Sequence, residues 1–221
     1  MLADHGPSVS VALHLVDLDA AGISVGEALN WLTPTERKRY QNQLDAAART
    51  RFAIGRASLR KLIDAPAGSS DFSLGPHGKP HLPDGPHFSF AASGDRALIA
   101  VSADGPIGVD IETVRDVVVP ADWREVHPAL GALDRGIEGS GTPPALRFLR
   151  AWTRLEAIVK RDGGRLSQAL YPDQDRSGPA PDPSQVVDVE LGETLVGALA
   201  FHGSANVDFH GVDLAVLFAK M

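Results

Sequence analysis

Residues 8–17, SVSVALHLVD, largely alternate apolar and polar side chains with the period of two that a half-buried strand uses. The next periodic segments are helical. Thr33 stands before Pro34 and Glu36, which predicts a helix start with proline in its first turn and continuation through Arg39 and Tyr40. Residues 46–62 form an amphipathic pattern that offers Phe52, Ile54, Leu59 and Leu62 for burial. Residues 65–86 are rich in Gly, Pro and Ser and predict loop with short extended pieces. Residues 87–92, Ser93-Gly94-Asp95 and residues 96–102 form a hairpin pattern, and 107–112 a further short strand. Residues 145–160 are the strongest helix, stopped by Asp162-Gly163-Gly164. Residues 171–185 carry Pro172, Pro179, Pro181 and Pro183 and predict loop, with strands at 186–189, 195–202 and 214–219. This order fits an α+β fold in two halves, 1–104 and 105–221, better than a repeating βαβ sheet.

The 221 residues include no cysteine, so neither a disulfide framework nor a thiolate metal site is possible. No apolar run approaches the ~20 residues of a membrane-spanning helix. Residues 1–7 carry Asp4 and His5 where a signal peptide has basic residues. The expected address is the cytoplasm, with no membrane partner. A net charge of −7 argues against a nucleic-acid partner, which requires a basic surface. One stretch runs against that balance. Arg37, Lys38, Arg39, Arg49, Arg51, Arg56, Arg60 and Lys61 face only Asp45 within residues 37–61, a composition suited to a small, multiply charged anion.

Two constellations can carry chemistry. In Gly108-Val109-Asp110-Ile111-Glu112 the two carboxylates lie two residues apart, and on a strand they project from one face. Such a pair can hold a hard divalent cation, or it can be two solvated acids at a strand edge. Trp152, Glu156 and Lys160 recur every fourth residue and drift only about 80° around a helix. Glu156 and Lys160 suit a site that handles phosphate, or they form a plain surface ion pair. Gly75-Pro76-His77-Gly78-Lys79-Pro80 presents one lysine on a turn. His5, His14, His77, His81, His87, His127, His202 and His210 read as surface or packing residues, as do Trp31 and Trp123.

The order of these motifs resembles the Sfp-type 4'-phosphopantetheinyl transferases. The residues that carry the resemblance are RTRFAIGRASLRKLI at 49–63, GKP at 78–80, FSFAASG at 88–94, GVDIE at 108–112 and WTRLEAIVK at 152–160. It implies a pseudo-two-fold pair of similar α+β halves with the active site in the cleft between them. It also implies transfer of the phosphopantetheine arm of coenzyme A to a serine of an acyl or peptidyl carrier protein by a monomer, with release of adenosine 3',5'-bisphosphate.

By the same resemblance Asp110, Glu112 and Glu156 hold magnesium, and Glu156, Lys160 and Asp110 are the catalytic groups. Lys79, Pro80, Arg51, Arg56, Lys38, Ser93 and Lys160 contact coenzyme A, with Arg39 beside Lys38. The chain departs from the pattern at three positions. Ala91 and Ala92 stand where the family has Ser and His, and Leu155 replaces a lysine before the metal-binding glutamate. Arg96 or an arginine of residues 49–60 could replace the missing contacts, whereas Arg154 points about 100° away from Leu155. A relative that binds coenzyme A or a carrier protein without transfer is the alternative. The segment 117–141, with Trp123, Val126, Leu130 and Leu133, is either a docking patch for the carrier or core.

Overall fold

The fold was obtained as a computed structural model, which describes residues 8–68, 71–135, 141–171 and 182–219. The chain runs β1 (Ser8–Asp17), α1 (Val25–Trp31), α2 (Pro34–Gln41), α3 (Ala46–Leu62), β2 (Ser73–Leu74), β3 (Pro80–His81), β4 (His87–Ser93), β5 (Arg96–Ser102) and β6 (Gly108–Thr113). It continues α4 (Trp123–Val126), α5 (Pro128–Arg135), α6 (Pro144–Asp162), α7 (Leu166–Leu170), β7 (Val186–Val189), β8 (Leu195–Ala200), β9 (Ser204–Val212) and α8 (Leu214–Leu217). The fold is mixed α and β, with one sheet ordered β4-β5-β1-β9, a second ordered β6-β8-β7 and a short β2-β3 ribbon.

The two larger sheets pack face to face, and helices cover their outer faces. Val11, Leu13, Leu98 and Ala100 of the first sheet meet Val109, Ile111 and Leu199 of the second. Alternate residues of the first sheet, Val16, Ala97 and Ile99, point the other way onto Ile54, Ala57 and Leu59 of α3. On the far side Ala198 and Ala200 of β8 pack on Ala151, Leu155 and Ile158 of α6, with Leu130 and Leu133 of α5. Each buried Leu, Ile or Val of these layers stabilises the fold by about 1.5–3 kcal/mol.

Short-range signals explain most helix ends. Thr33 and Glu36 form a capping box at α2, and Asp45 caps α3 through Ala48 N. Gly163 adopts φ 64°, the left-handed conformation that ends α6 without a Cβ clash, and Gly164 N returns to Val159 O at 3.0 Å.

Three expectations are corrected. Residues 214–217 are helix, because Asp213 accepts hydrogen bonds from Ala215 N and Val216 N and bends the chain into a turn. The terminal strand lies earlier, at β9, and pairs in parallel with β1, from Ser8 opposite Ser204 to Val16 opposite Val212. Residues 195–202 leave the sheet at Ala200. Helix α1 is an addition, built on a Ser24–Glu27 capping box. The loop expected at 171–185 falls largely on residues 172–181, outside the described residues, as does the N-terminal segment 1–7. Within 117–141, Trp123, Leu130 and Leu133 are core and Val126 is exposed, so the apolar docking patch loses three of its four side chains. No described helix is long and apolar enough to cross a membrane.

One contact sets the position of the second sheet on its helix. A Cβ at Gly108 would fall 1.9 Å from Ala157 O and 2.4 Å from Arg161 N, so β6 crosses α6 where only glycine fits. Replacing Gly108 by Ala forces strand and helix apart, at about 3 kcal/mol, the upper end for an overpacked site. The expected thermal melt falls by roughly 6–12 °C. An unchanged melt would show that the crossing tolerates a side chain.

Candidate active site

The pleat of β6 sends Val109 and Ile111 into the space between the sheets and turns Gly108, Asp110 and Glu112 toward α6. On α6, Glu156 and Lys160 stand one turn apart. Lys160 Nζ donates to Asp110 Oδ1 at 2.5 Å and lies 3.5 Å from Glu156 Oε2. Asp110 is 4% exposed, and its Oδ2 is buried without a hydrogen-bond partner. Burial pushes the Asp110 carboxyl up to about 7, against the pull of Lys160, and the neighbouring Glu156 and Glu112 charges push the same way as burial.

Glu112 is held from the hairpin. Its Oε2 accepts from Ser93 Oγ at 3.2 Å and from Arg115 Nη1 at 2.7 Å. Ser93 Oγ also accepts from Thr113 N at 3.0 Å, which ties the end of β4 to β6. The nearest partners of Ser93 are therefore Glu112 and Thr113.

Whether these carboxylates suit a metal can be judged from their donors. The set is all oxygen, one of its oxygens is buried and unpartnered, and a cation, the Lys160 ammonium, already lies against it. Oxygen donors are what a hard divalent ion takes, and such an ion would have to displace that ammonium. As the side chains stand, no group of three or more His, Asp or Glu among the described residues is gathered closely enough to hold an ion.

A cavity of about 380 Å³ opens on the other side of the β4–β5 hairpin. Arg39, Arg51, Arg56, Gln43, Phe90 and Ala92 line it, together with Gly94. Arg51 is bound by Asp19 through Nε at 2.8 Å and Nη2 at 2.5 Å, and that hydrogen bonding holds the Asp19 carboxyl below its ordinary value. Arg56 lies between the rings of Phe72 and Phe90, at 5.6 and 5.8 Å from their centroids. Burial lowers the Arg56 guanidinium against the opposing pull of Glu36. Lys38 is exposed on α2 and is not among the lining residues, whereas Arg39 is.

Lys79 and Pro80 form a third group. Lys79 Nζ donates to Ile107 O at 3.1 Å and to Arg161 O at 2.9 Å, so it straps the GKP turn to the start of β6 and the end of α6. Burial lowers its ammonium to about 8, opposed by Asp162. The hairpin tip joins the first two groups: Ala92 and Gly94 line the cavity, while Ser93 between them reaches Glu112.

The departures read from sequence separate in space. Ala91 is buried between the sheets and faces away from the cavity, so only Ala92 leaves a wall without a donor. Leu155 is 0% exposed and belongs to the core beside Leu130 and Leu133. Arg154 donates to Asp188 Oδ1 at 2.6 Å and to Leu133 O at 3.1 Å, away from the carboxylates. Sequence reasoning missed Asp19, Phe90, Gln43 and Arg115. The hairpin pattern alone could have flagged Phe90, because it shares a strand face with Ala92.

No protein-family model matches the chain. It is similar to the 4'-phosphopantetheinyl transferase AcpT of Escherichia coli O157:H7, 34% identical over 130 residues, which make up 57% of this chain and 64% of that protein. It is also similar to the 4'-phosphopantetheinyl transferase AcpT of Salmonella typhi, 36% identical over 131 residues, 57% of this chain and 65% of that protein. The matched part thus spans just under two thirds of those relatives' own length.

The raised Asp110 carboxyl has a measurable consequence in metal-free buffer. The folded form keeps its proton up to about pH 7, whereas the unfolded form loses it near 3.8. Asp110 therefore contributes stability at low pH that is lost as pH rises from about 4 through 7. Chemical denaturation of the unmodified protein and of Asp110→Asn across that range is expected to show a stability difference that changes with pH. A difference that does not change with pH would show that Asp110 ionises normally.

Proposed function

We propose that this chain is a 4'-phosphopantetheinyl transferase of the Sfp type, which moves the phosphopantetheine arm of coenzyme A onto a serine of an acyl or peptidyl carrier protein. The observation that carries the reading is the meeting of Asp110, Glu156 and Lys160 at the β6–α6 crossing, one hairpin away from a cavity lined by three arginines. The likeness to proteins named for this reaction supports it.

In this reading the cavity takes the nucleotide end of coenzyme A. Arg39, Arg51 and Arg56 supply charge-assisted donors for its phosphates, and guanidinium groups can bind phosphate through two parallel bonds. Asp110, Glu112 and Glu156 would hold magnesium, which would neutralise charge on the phosphate oxygens. Glu156, part-exposed at the crossing, accepts the proton of the carrier serine. The serine oxygen bonds to the phosphorus that carries the pantetheine arm. The bond from that phosphorus to the bridging oxygen breaks, and adenosine 3',5'-bisphosphate leaves. Lys160 turns its ammonium from Asp110 toward the phosphate under attack. Lys79 acts through position: two of its three N–H groups bond Ile107 O and Arg161 O and so fix the β6–α6 crossing. The enzyme acts as a monomer in the cytoplasm.

A second reading, binding of coenzyme A or a carrier without transfer, is favoured by the donorless wall at Ala92. Intact-mass spectrometry of apo carrier proteins incubated with the protein, coenzyme A and magnesium separates the two. The transferase adds one phosphopantetheine arm, and chelator abolishes the gain. Binding of coenzyme A with no covalent product on fatty-acid, polyketide or peptide carriers would leave the second reading.

Two substitutions sharpen the test. Glu156→Ala is expected to abolish transfer, roughly a hundredfold or more, the scale of a positioned general base, with the melt retained. Transfer that survived would remove Glu156 from the mechanism. Ala92→His adds a donor to the cavity wall and is expected to tighten coenzyme A binding about tenfold, the scale of one charge-assisted hydrogen bond. Equal affinity would place the nucleotide elsewhere.

A further inference from the structure

Glu36 and Arg60 lie buried behind the arginine-lined cavity, 4% and 0% exposed, and Arg56 is half-buried at its wall. Glu36 sits in the first turn of α2, where its Oε2 accepts from Thr33 N at 3.1 Å. The same carboxylate reaches α3. Its Oε1 accepts from Arg56 Nε at 3.0 Å and lies 3.0 Å from Arg56 Nη2, while Oε2 accepts from Arg60 Nε at 2.9 Å. Of the two guanidiniums against this carboxylate only Arg56 lines the cavity. The flanking rings of Phe72 and Phe90 confine the Arg56 plane. With Nε and Nη2 engaged by Glu36, Nη1 is the edge left for a ligand in the cavity.

We propose that Glu36 is the positioning residue of this cavity: it holds Arg56 so that a phosphate of the bound nucleotide meets a guanidinium already oriented for it. The inference rests on the transferase reading and adds to the capping and ion-pairing roles of Glu36. Its physical content lies in a sign. Removal of the carboxylate raises the positive charge beside the cavity, which alone would tighten binding of an anion. Loss of the orienting bonds leaves Arg56 to find its geometry as the ligand arrives, which weakens binding. If positioning dominates, neutralising Glu36 weakens the binding of a phosphate ligand despite the more favourable charge.

Adenosine 3',5'-bisphosphate is the probe, titrated calorimetrically into the unmodified chain, Glu36→Gln, Arg56→Lys and the double variant. Gln keeps the length of the side chain and one acceptor for Thr33 N, and Lys keeps a cation against Glu36. Each single variant is expected to bind about tenfold more weakly, the lower end of what supporting groups contribute at other sites. The double variant is expected to be no weaker than Arg56→Lys, because Glu36 acts through Arg56. In steady-state transfer the loss falls on KM for coenzyme A and spares KM for the carrier protein, a split that general loosening of the fold would not produce. Unchanged or tighter binding by Glu36→Gln overturns the proposal, as does a double variant in which both losses add. Should Glu36→Gln fail to fold, Glu36→Asp keeps the charge but shortens the reach, and unmodified affinity in that variant overturns the proposal equally. Failure of the unmodified chain to bind the bisphosphate overturns the transferase reading and this inference with it. Binding that Glu36→Gln leaves intact overturns the inference alone.

Discussion

The close crossing of β6 on α6 at Gly108 is the contact on which the candidate site depends. Two periodicities meet there: β6 turns every second residue toward the helix, and α6 returns to the same face about every fourth. A Cβ at Gly108 would overlap backbone atoms of Ala157 and Arg161, so only a movement of whole backbone segments could accommodate one. Because the crossing is that close, Lys160 can reach Asp110 at 2.5 Å while Glu156 stays within 3.5 Å of the same ammonium. Lys79 closes the arrangement from outside by bonding one backbone carbonyl at each end of the crossing.

The electrostatics follow from burial more than from net charge. The chain carries −7 overall, yet the cavity wall is cationic, because three arginines converge on it from α2 and α3. Their charge is partly compensated from behind and from the side, Arg56 by Glu36 and Arg51 by Asp19. Across the hairpin the balance reverses, with Asp110, Glu112 and Glu156 against Lys160 and Arg115. The Ala92-Ser93-Gly94 tip joins the two poles, with Ala92 and Gly94 at the cavity and Ser93 on Glu112.

The distribution of core residues sorts the positions at which the sequence departs from the pattern it resembles. Alternation along β4 puts Ala91 between the sheets, where a small apolar side chain packs well, and leaves Ala92 as the one substitution that changes the cavity. Leu155 is likewise a packing residue, wholly enclosed by α5 and α6, so a charge at that position would be buried without solvent. Trp123, Leu130 and Leu133 follow the same logic and fill the core under α6.

Much of the fold was legible locally. The alternation of β1, the capping residues Thr33 and Asp45, the hairpin at 87–102 and the glycine stop after α6 all act within a few residues, where steric and hydrogen-bonding preferences are set by the segment itself. The shared face of Asp110 and Glu112, and that of Glu156 and Lys160, followed from the same periodicities. What the sequence could not determine is which segments meet. The pairing of β9 with β1 and the assignment of Asp19 to Arg51 and of Glu36 to Arg56 join residues far apart along the chain. Those choices depend on the packing of whole layers. Only the tertiary structure could decide them, because a side chain's propensity is local and its partner is not.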